Sequence, residues 1–177
     1  MTNKEKIIKE TSLGKIIWSD SSDYLLKLKD NTVDLIITSP PFALTKEKAY
    51  GNKKGEEYLT WLKDFGEIFF NKLAPTGSLV IDFGGSWVPG SPTRNLHQFK
   101  IPIIFVEELG FNLAQEFFWW NTSKMPNPAQ WVTVKRERIT DAVNYIFWFS
   151  KSERPKANNR NILNAYSDKM KNLIKNK

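Results

Sequence analysis

Two kinds of hydrophobic pattern alternate along the first two thirds of the chain. Lys15–Ser19 (KIIWS) predicts a short strand, followed by Asp20 and a short amphipathic helix carrying Tyr24, Leu25 and Leu28. The run Val33-Asp34-Leu35-Ile36-Ile37 is nearly continuous in apolar residues, the pattern of a parallel strand buried on both faces, and Ser39-Pro40-Pro41 stops it. From Glu56 to Leu73 the apolar positions Leu59, Leu62, Phe65, Phe69 and Leu73 recur at three- and four-residue spacing and predict a helix. Pro75-Thr76-Gly77 predicts a turn, Ser78–Phe83 a second buried strand, and Ile101–Leu109 a helix reached through the Gly/Pro-punctuated segment Gly84–Arg94. Strand and helix in alternation place the chain in the α/β class.

Beyond Gly110 the texture changes. Phe111–Trp120 and Ala142–Ser150 are aromatic, strand-like runs that predict a closing antiparallel pair. Between them lies a basic loop with Lys124, Lys135, Arg136 and Arg138. Residues 1–150 read as one domain part, and 151–177 as a basic linker, with a helix around Tyr166–Ile174.

A chain of 177 residues with 41% hydrophobic content can bury a real core. The net charge of +7 favours a polyanionic partner, although the Lys-rich ends alone would also produce a solvated basic surface. With no cysteine, disulfides, thiolate metal sites and cysteine nucleophiles are excluded, which fits a cytoplasmic protein. The N-terminal MTNKEKIIKETS has no signal-peptide core and no run reaches the roughly 20 apolar residues of a membrane span, so no membrane association is expected.

Candidate chemistry concentrates in Thr38-Ser39-Pro40-Pro41-Phe42, at the carboxyl end of a buried parallel strand, where open α/β sheets bind ligands. Two prolines remove backbone donors, so carbonyls there can aim into a crevice as acceptors. The exocyclic amine of a nucleobase is a poor nucleophile because its lone pair is delocalised. Acceptors on its hydrogens, here the Ser39 hydroxyl and the Pro40 carbonyl, localise that pair. Phe42 offers the aromatic face that a base needs when it leaves the duplex stack. The alternative is a proline-terminated strand end with no chemistry.

TSPPF resembles the catalytic motif of DNA amino-methyltransferases. In that family an Asp in the first position usually accompanies adenine-N6 enzymes and a Ser cytosine-N4 enzymes, so Ser39 favours cytosine-N4 over adenine-N6 methylation. The resemblance runs from KIIWSDSSDYLLKL through TSPPFALTKEKAYGN, GSLVIDFGGSW and DAVNYIFWFSKSERPK to YSDKMKNLI, segments similar to the N-terminal portion of PvuII-type cytosine-N4 methyltransferases. It implies a Rossmann-like S-adenosylmethionine-dependent fold with permuted motif order, double-stranded DNA as substrate, base flipping and a restriction-modification context. It also implies catalytic roles for Ser39, Pro40, Pro41, Phe42 and Asp82, and cofactor contacts for Asp20 and Ser39. The alternative for Asp20 is a helix N-cap, a role Ser21 or Ser22 could share, and for Asp82 a cap on the turn before Gly84-Gly85. Lys124, Lys135, Arg136 and Arg138 together lean towards DNA phosphates, against the alternative of a solvated loop. His97, the lone histidine, reads as a surface or packing residue, and Trp119-Trp120 as core; neither is assigned a role, and no metal site is expected.

The family's Gly-rich turn, of the form Asp-Pro-Phe-x-Gly-Ser-Gly, has no counterpart in the chain, and Asp82-Phe83-Gly84-Gly85-Ser86 is a decoy with the wrong spacing. The resemblance implies a sheet in which strands 3 to 7 are supplied and the two central cofactor-binding strands are not. That expectation makes the fold incomplete, to be completed by a second polypeptide or a missing C-terminal half, or else a remnant that pairs with itself. A noncatalytic DNA-binding or assembly subunit is the rival reading from another class.

Overall fold

The computed structural model describes residues 5–42, 53, 55–126 and 128–176. The ALTKEKAYGN part of the family-like TSPPF segment, residues 43–52, lies outside them, as do residues 1–4. The chain opens with an antiparallel hairpin, β1 (Lys6–Thr11) and β2 (Gly14–Trp18), whose turn is held by Thr11 Oγ1 accepting from the Gly14 N–H at 3.2 Å. Sequence patterning misses β1, because its apolar Ile7 and Ile8 are adjacent rather than alternating and both are exposed.

Helix α1 (Ser21–Lys27) leads to β3 (Val33–Thr38), then to the long α2 (Gly55–Lys72), β4 (Leu73–Phe83) and α3 (His97–Glu107). β5 (Asn112–Trp120) and β6 (Val143–Ser150) form the expected antiparallel pair, and α4 (Asp168–Lys175) lies near the carboxyl end. The main sheet has the order β3-β4-β6-β5, parallel between β3 and β4 and antiparallel elsewhere.

One face of this sheet carries the core. Leu79, Ile81 and Phe83 of β4 and Phe147 and Phe149 of β6 pack against Leu59, Leu62 and Phe69 of α2 and Ile101 and Phe105 of α3. The heptad-like stripe read from the sequence is thus the buried face of α2, except that Leu73 begins β4. The predicted turn at Pro75-Thr76-Gly77 is instead an irregularity inside β4: the register with β3 jumps from Val33↔Leu73 to Leu35↔Ser78. Gly77 is required there, since an added Cβ would lie 2.9 Å from the Val33 carbonyl oxygen.

β3 corrects one expectation. Its side chains are not buried on both faces: Leu35 is 51% and Ile37 71% exposed. β4 is its only neighbour among the described residues, and the helices cover only the other face, where Ile36 packs on the core. Trp119 and Trp120 are likewise not core, at 50% and 71% exposed, because β5 is the opposite edge strand. No helix of the described residues is long and apolar enough to cross a membrane.

Candidate active site at the carboxyl edge of the sheet

β3 and β4 run parallel with Thr38 opposite Ile81, so the chain leaves β3 at Ser39 beside Asp82. The Ser39 hydroxyl donates to Asp82 Oδ2 at 3.3 Å. The same oxygen accepts from Asn144 Nδ2 at 3.4 Å, reaching across from β6. Asp82 therefore lies within β4 with its carboxylate on the Ser39 side, rather than as a cap on the glycine turn. Its second oxygen, Oδ1, is buried without a hydrogen-bond partner among the described residues, as is Asn144 Oδ1.

Around this pair the backbone is unusually close to side chains. Phe42 packs its ring against the backbone of Gly84, where an added Cβ would overlap the ring. Arg94 occupies the equivalent space over Gly85, stacks over the Trp87 ring at 5.4 Å and pairs with Asp141. Gly84-Gly85 therefore admits side chains to the strand end.

A cavity of about 410 Å³ opens between the hairpin and β3, with Ser19, Ser21, Tyr24, Ile37, Ser39, Pro40, Pro41 and Trp61 in its wall. Asp20 itself is the N-cap of α1, accepting from the Ser22 N–H at 2.9 Å and the Asp23 N–H at 3.2 Å. The cap belongs to Asp20 rather than to Ser21 or Ser22. The Ser22 hydroxyl, aided by the Asp23 amide, holds the Asp20 carboxyl below the usual carboxylate value.

The four basic loop residues do not form one cluster. Lys124 donates to the Val143 carbonyl at 2.8 Å, next to Asn144. Burial lowers its pKa, with Arg94 adding to the effect and Asp141 and Asp82 opposing it. Arg138 donates to the Pro92 carbonyl at 3.0 Å and so ties its loop to the segment after β4. Lys135 lies over the Trp131 ring at 4.6 Å, and Arg136 is exposed with a φ of 58°. His97 is half-buried beside Tyr58, as a packing residue, and no cluster of metal-ligating side chains occurs among the described residues.

The DNA methylase family model matches residues 33–177. The chain belongs to that family. Type II methyltransferase M.PvuII of Proteus hauseri is 44% identical over 164 residues, 93% of this chain and 49% of that protein. M.BglII of Bacillus subtilis is 39% identical over 72 residues, 41% of this chain and 20% of its own length. Among solved structures, the PvuII DNA methyltransferase (cytosine-N4-specific) aligns with a TM-score of 0.73 at 41% identity, covering 82% of this chain and 51% of that one. A DNA modification methylase of Thermus thermophilus, TTHA0409, aligns with a TM-score of 0.56 at 20% identity, over 87% of this chain and 57% of that one, and shares the fold. This DNA methylase chain thus spans about half the length of the M.PvuII relative.

Three residues at or beside the candidate site escaped sequence reading. Asn144 is the one amide in the aromatic run of β6, and a buried polar group in such a run requires a partner, which was the available signal. The Arg94–Asp141 pair carried no signal, because it joins two loops with no periodic pattern.

Proposed function

We propose that the chain is the catalytic part of an S-adenosylmethionine-dependent DNA methyltransferase that methylates the exocyclic N4 of cytosine in duplex DNA, within a restriction-modification system. The hydrogen bond from Ser39 to Asp82 carries this reading. A hydroxyl has one hydrogen and two lone pairs. With its hydrogen committed to the carboxylate, the Ser39 oxygen presents its lone pairs to a donor. The hydrogens of a flipped cytosine's amine are such donors, and the Pro40 carbonyl takes the second one. Accepting them localises the nitrogen lone pair for attack. As an N–C bond would form and the cofactor's sulfur–methyl bond would break, with its electron pair left on sulfur, Ser39 Oγ would take the surplus amine proton while its own proton moved to Asp82, and Phe42 would stack on the base.

The cofactor supplies an electrophilic methyl group on a sulfonium. The cavity beside Ser39 and Pro40 suits it in size, hydroxyl content and aromatic wall, with Ser19 and Ser21 flanking the Asp20 cap. Pro41 shapes the wall by fixing the backbone.

Duplex DNA is the proposed partner, met by Lys124, Lys135, Arg136 and Arg138. A second polypeptide or further segment carrying the Gly-rich turn is the other, and the edge of β3, unpaired among the described residues, with its exposed Leu35 and Ile37 supports it. Residues 1–150 form the catalytic part and 151–177 a basic linker towards target recognition, at work in the cytoplasm.

The deciding experiment titrates S-adenosylmethionine calorimetrically into the chain alone and into its mixture with the half of the M.PvuII relative that the chain does not match, then identifies the methylated base by mass spectrometry. Binding only in the mixture, with N4-methylcytosine as product, is expected. Tight binding by the chain alone would remove the need for a Gly-rich half, and N6-methyladenine would overturn the substrate.

A further inference from the structure

Asn144 is 6% exposed, on a strand whose neighbours are aromatic. Both sides of its backbone are fixed. It pairs with Trp119 on β5, and on the β4 side it sits one step beyond the Phe83↔Tyr145 pair, level with Gly84. Lys124 and the Asn121 N–H hold the carbonyls of the two preceding residues, Val143 and Ala142, at 2.8 and 2.7 Å. The side chain has a defined sense: Nδ2 faces Asp82 Oδ2 at 3.4 Å, and turning the amide over would set an oxygen against a carboxylate. Its own Oδ1 is buried without a partner among the described residues.

A buried amide left half-unpaired is a poor device for stability, since the lost hydration of the idle end offsets the bond made by the other. The feature that distinguishes it is the hydrogen given to Asp82. We propose that Asn144 is a positioning residue: with Ser39 it clasps one oxygen of Asp82, so that the carboxylate cannot rotate away and Ser39 keeps its hydrogen on that oxygen. The geometric part stands on the contacts alone, and the catalytic consequence rests on the methyl-transfer reading.

The test compares crystal structures of the wild-type chain and of Asn144→Ala and Asn144→Asp, with circular dichroism as a check of folding. In either variant Asp82 is expected to turn, taking its carboxylate beyond hydrogen-bond distance, about 3.5 Å, from Ser39 Oγ. An unmoved Asp82 in whichever variant folds overturns the proposal. In the two-polypeptide enzyme, kcat is expected to fall about tenfold or more with KM for DNA and cofactor unchanged, because a donor to a charged group is lost. Asn144→Ser, which keeps a donor, recovers part of the loss. An unchanged kcat in Asn144→Ala, or a loss confined to KM, also overturns it. If the wild-type mixture methylates no cytosine, the proposed function fails while the crystallographic comparison still decides the role of Asn144.

Discussion

Arg94 and Asp141, 47 residues apart, form an ion pair that ties the segment after β4 to the loop between β5 and β6. Both side chains are about a third exposed, at 31% and 34%, so water screens much of their attraction. Asp141→Asn is expected to cost roughly 1 kcal/mol or less in urea unfolding. Its larger effect should be on Arg94, which would be free to leave Gly85 and Trp87. Trp87 fluorescence should therefore change more than stability does, and an unaltered spectrum would argue against that clamp.

Ser39→Ala removes the lone pairs offered to the amine and leaves Asp82 with Asn144 as its donor. In the completed enzyme, single-turnover methyl transfer should fall by about a hundredfold, with DNA affinity nearly unchanged. Equal losses in both would mean that Ser39 shapes the DNA site rather than the reaction.

The contact of Phe42 with Gly84 leaves no room for a methyl group. Gly84→Ala must displace the ring, and Phe42→Ala must remove it. Both are expected to weaken the fluorescence rise of a 2-aminopurine placed at the target position, with no effect if Phe42 takes no part in holding the base.

Much of this arrangement was legible because local pattern and tertiary placement agreed. The stripe on α2 buries one face, so its periodicity named that part of the core, whereas the alternate residues that β4 and β6 add to it were read only as buried or aromatic strand runs. Ser39 and Asp82, which the family resemblance named together, meet because β3 and β4 are parallel neighbours whose carboxyl ends align. The burial of β3 and of Trp119-Trp120 was not readable, since apolar content reports what a strand tolerates and not which of its edges is covered. At Asp20 the family resemblance implied a cofactor contact, and what the structure shows there is a helix N-cap. Its capping bonds depend on the turn into α1.

His97 makes stability depend on pH in a definite direction. Burial first, then Lys100, lowers its pKa below the ordinary 6.5, with Glu56 opposing. The unfolded chain therefore binds a proton more readily than the folded one in the window just below pH 6.5. The contribution is fully present above that value and is lost as pH falls through the folded pKa. The melting temperature should drop between pH 7.5 and 5.5 (assay conditions of about one unit either side of a histidine's ordinary pKa). His97→Gln should flatten that part of the profile, and an identical drop in the variant would assign the dependence to other groups.

The basic loop makes a graded prediction about DNA. A cation that neutralises one phosphate contributes about 0.9 to the slope of log affinity against log salt. Lys135 and Arg136 stand on the exposed loop, whereas Arg138 is engaged with the Pro92 carbonyl and Lys124 with that of Val143. A side chain already donating to the backbone has less to give a phosphate, and Lys124 is half-buried besides. Arg136→Gln and Lys135→Gln should therefore each lower the slope by nearly the full amount, and Lys124→Gln and Arg138→Gln by less. Lys124→Gln should instead slow methyl transfer, because it loosens the strand end that carries Asn144. Equal slopes for all four variants would show that none of the loop's internal bonds survives on DNA.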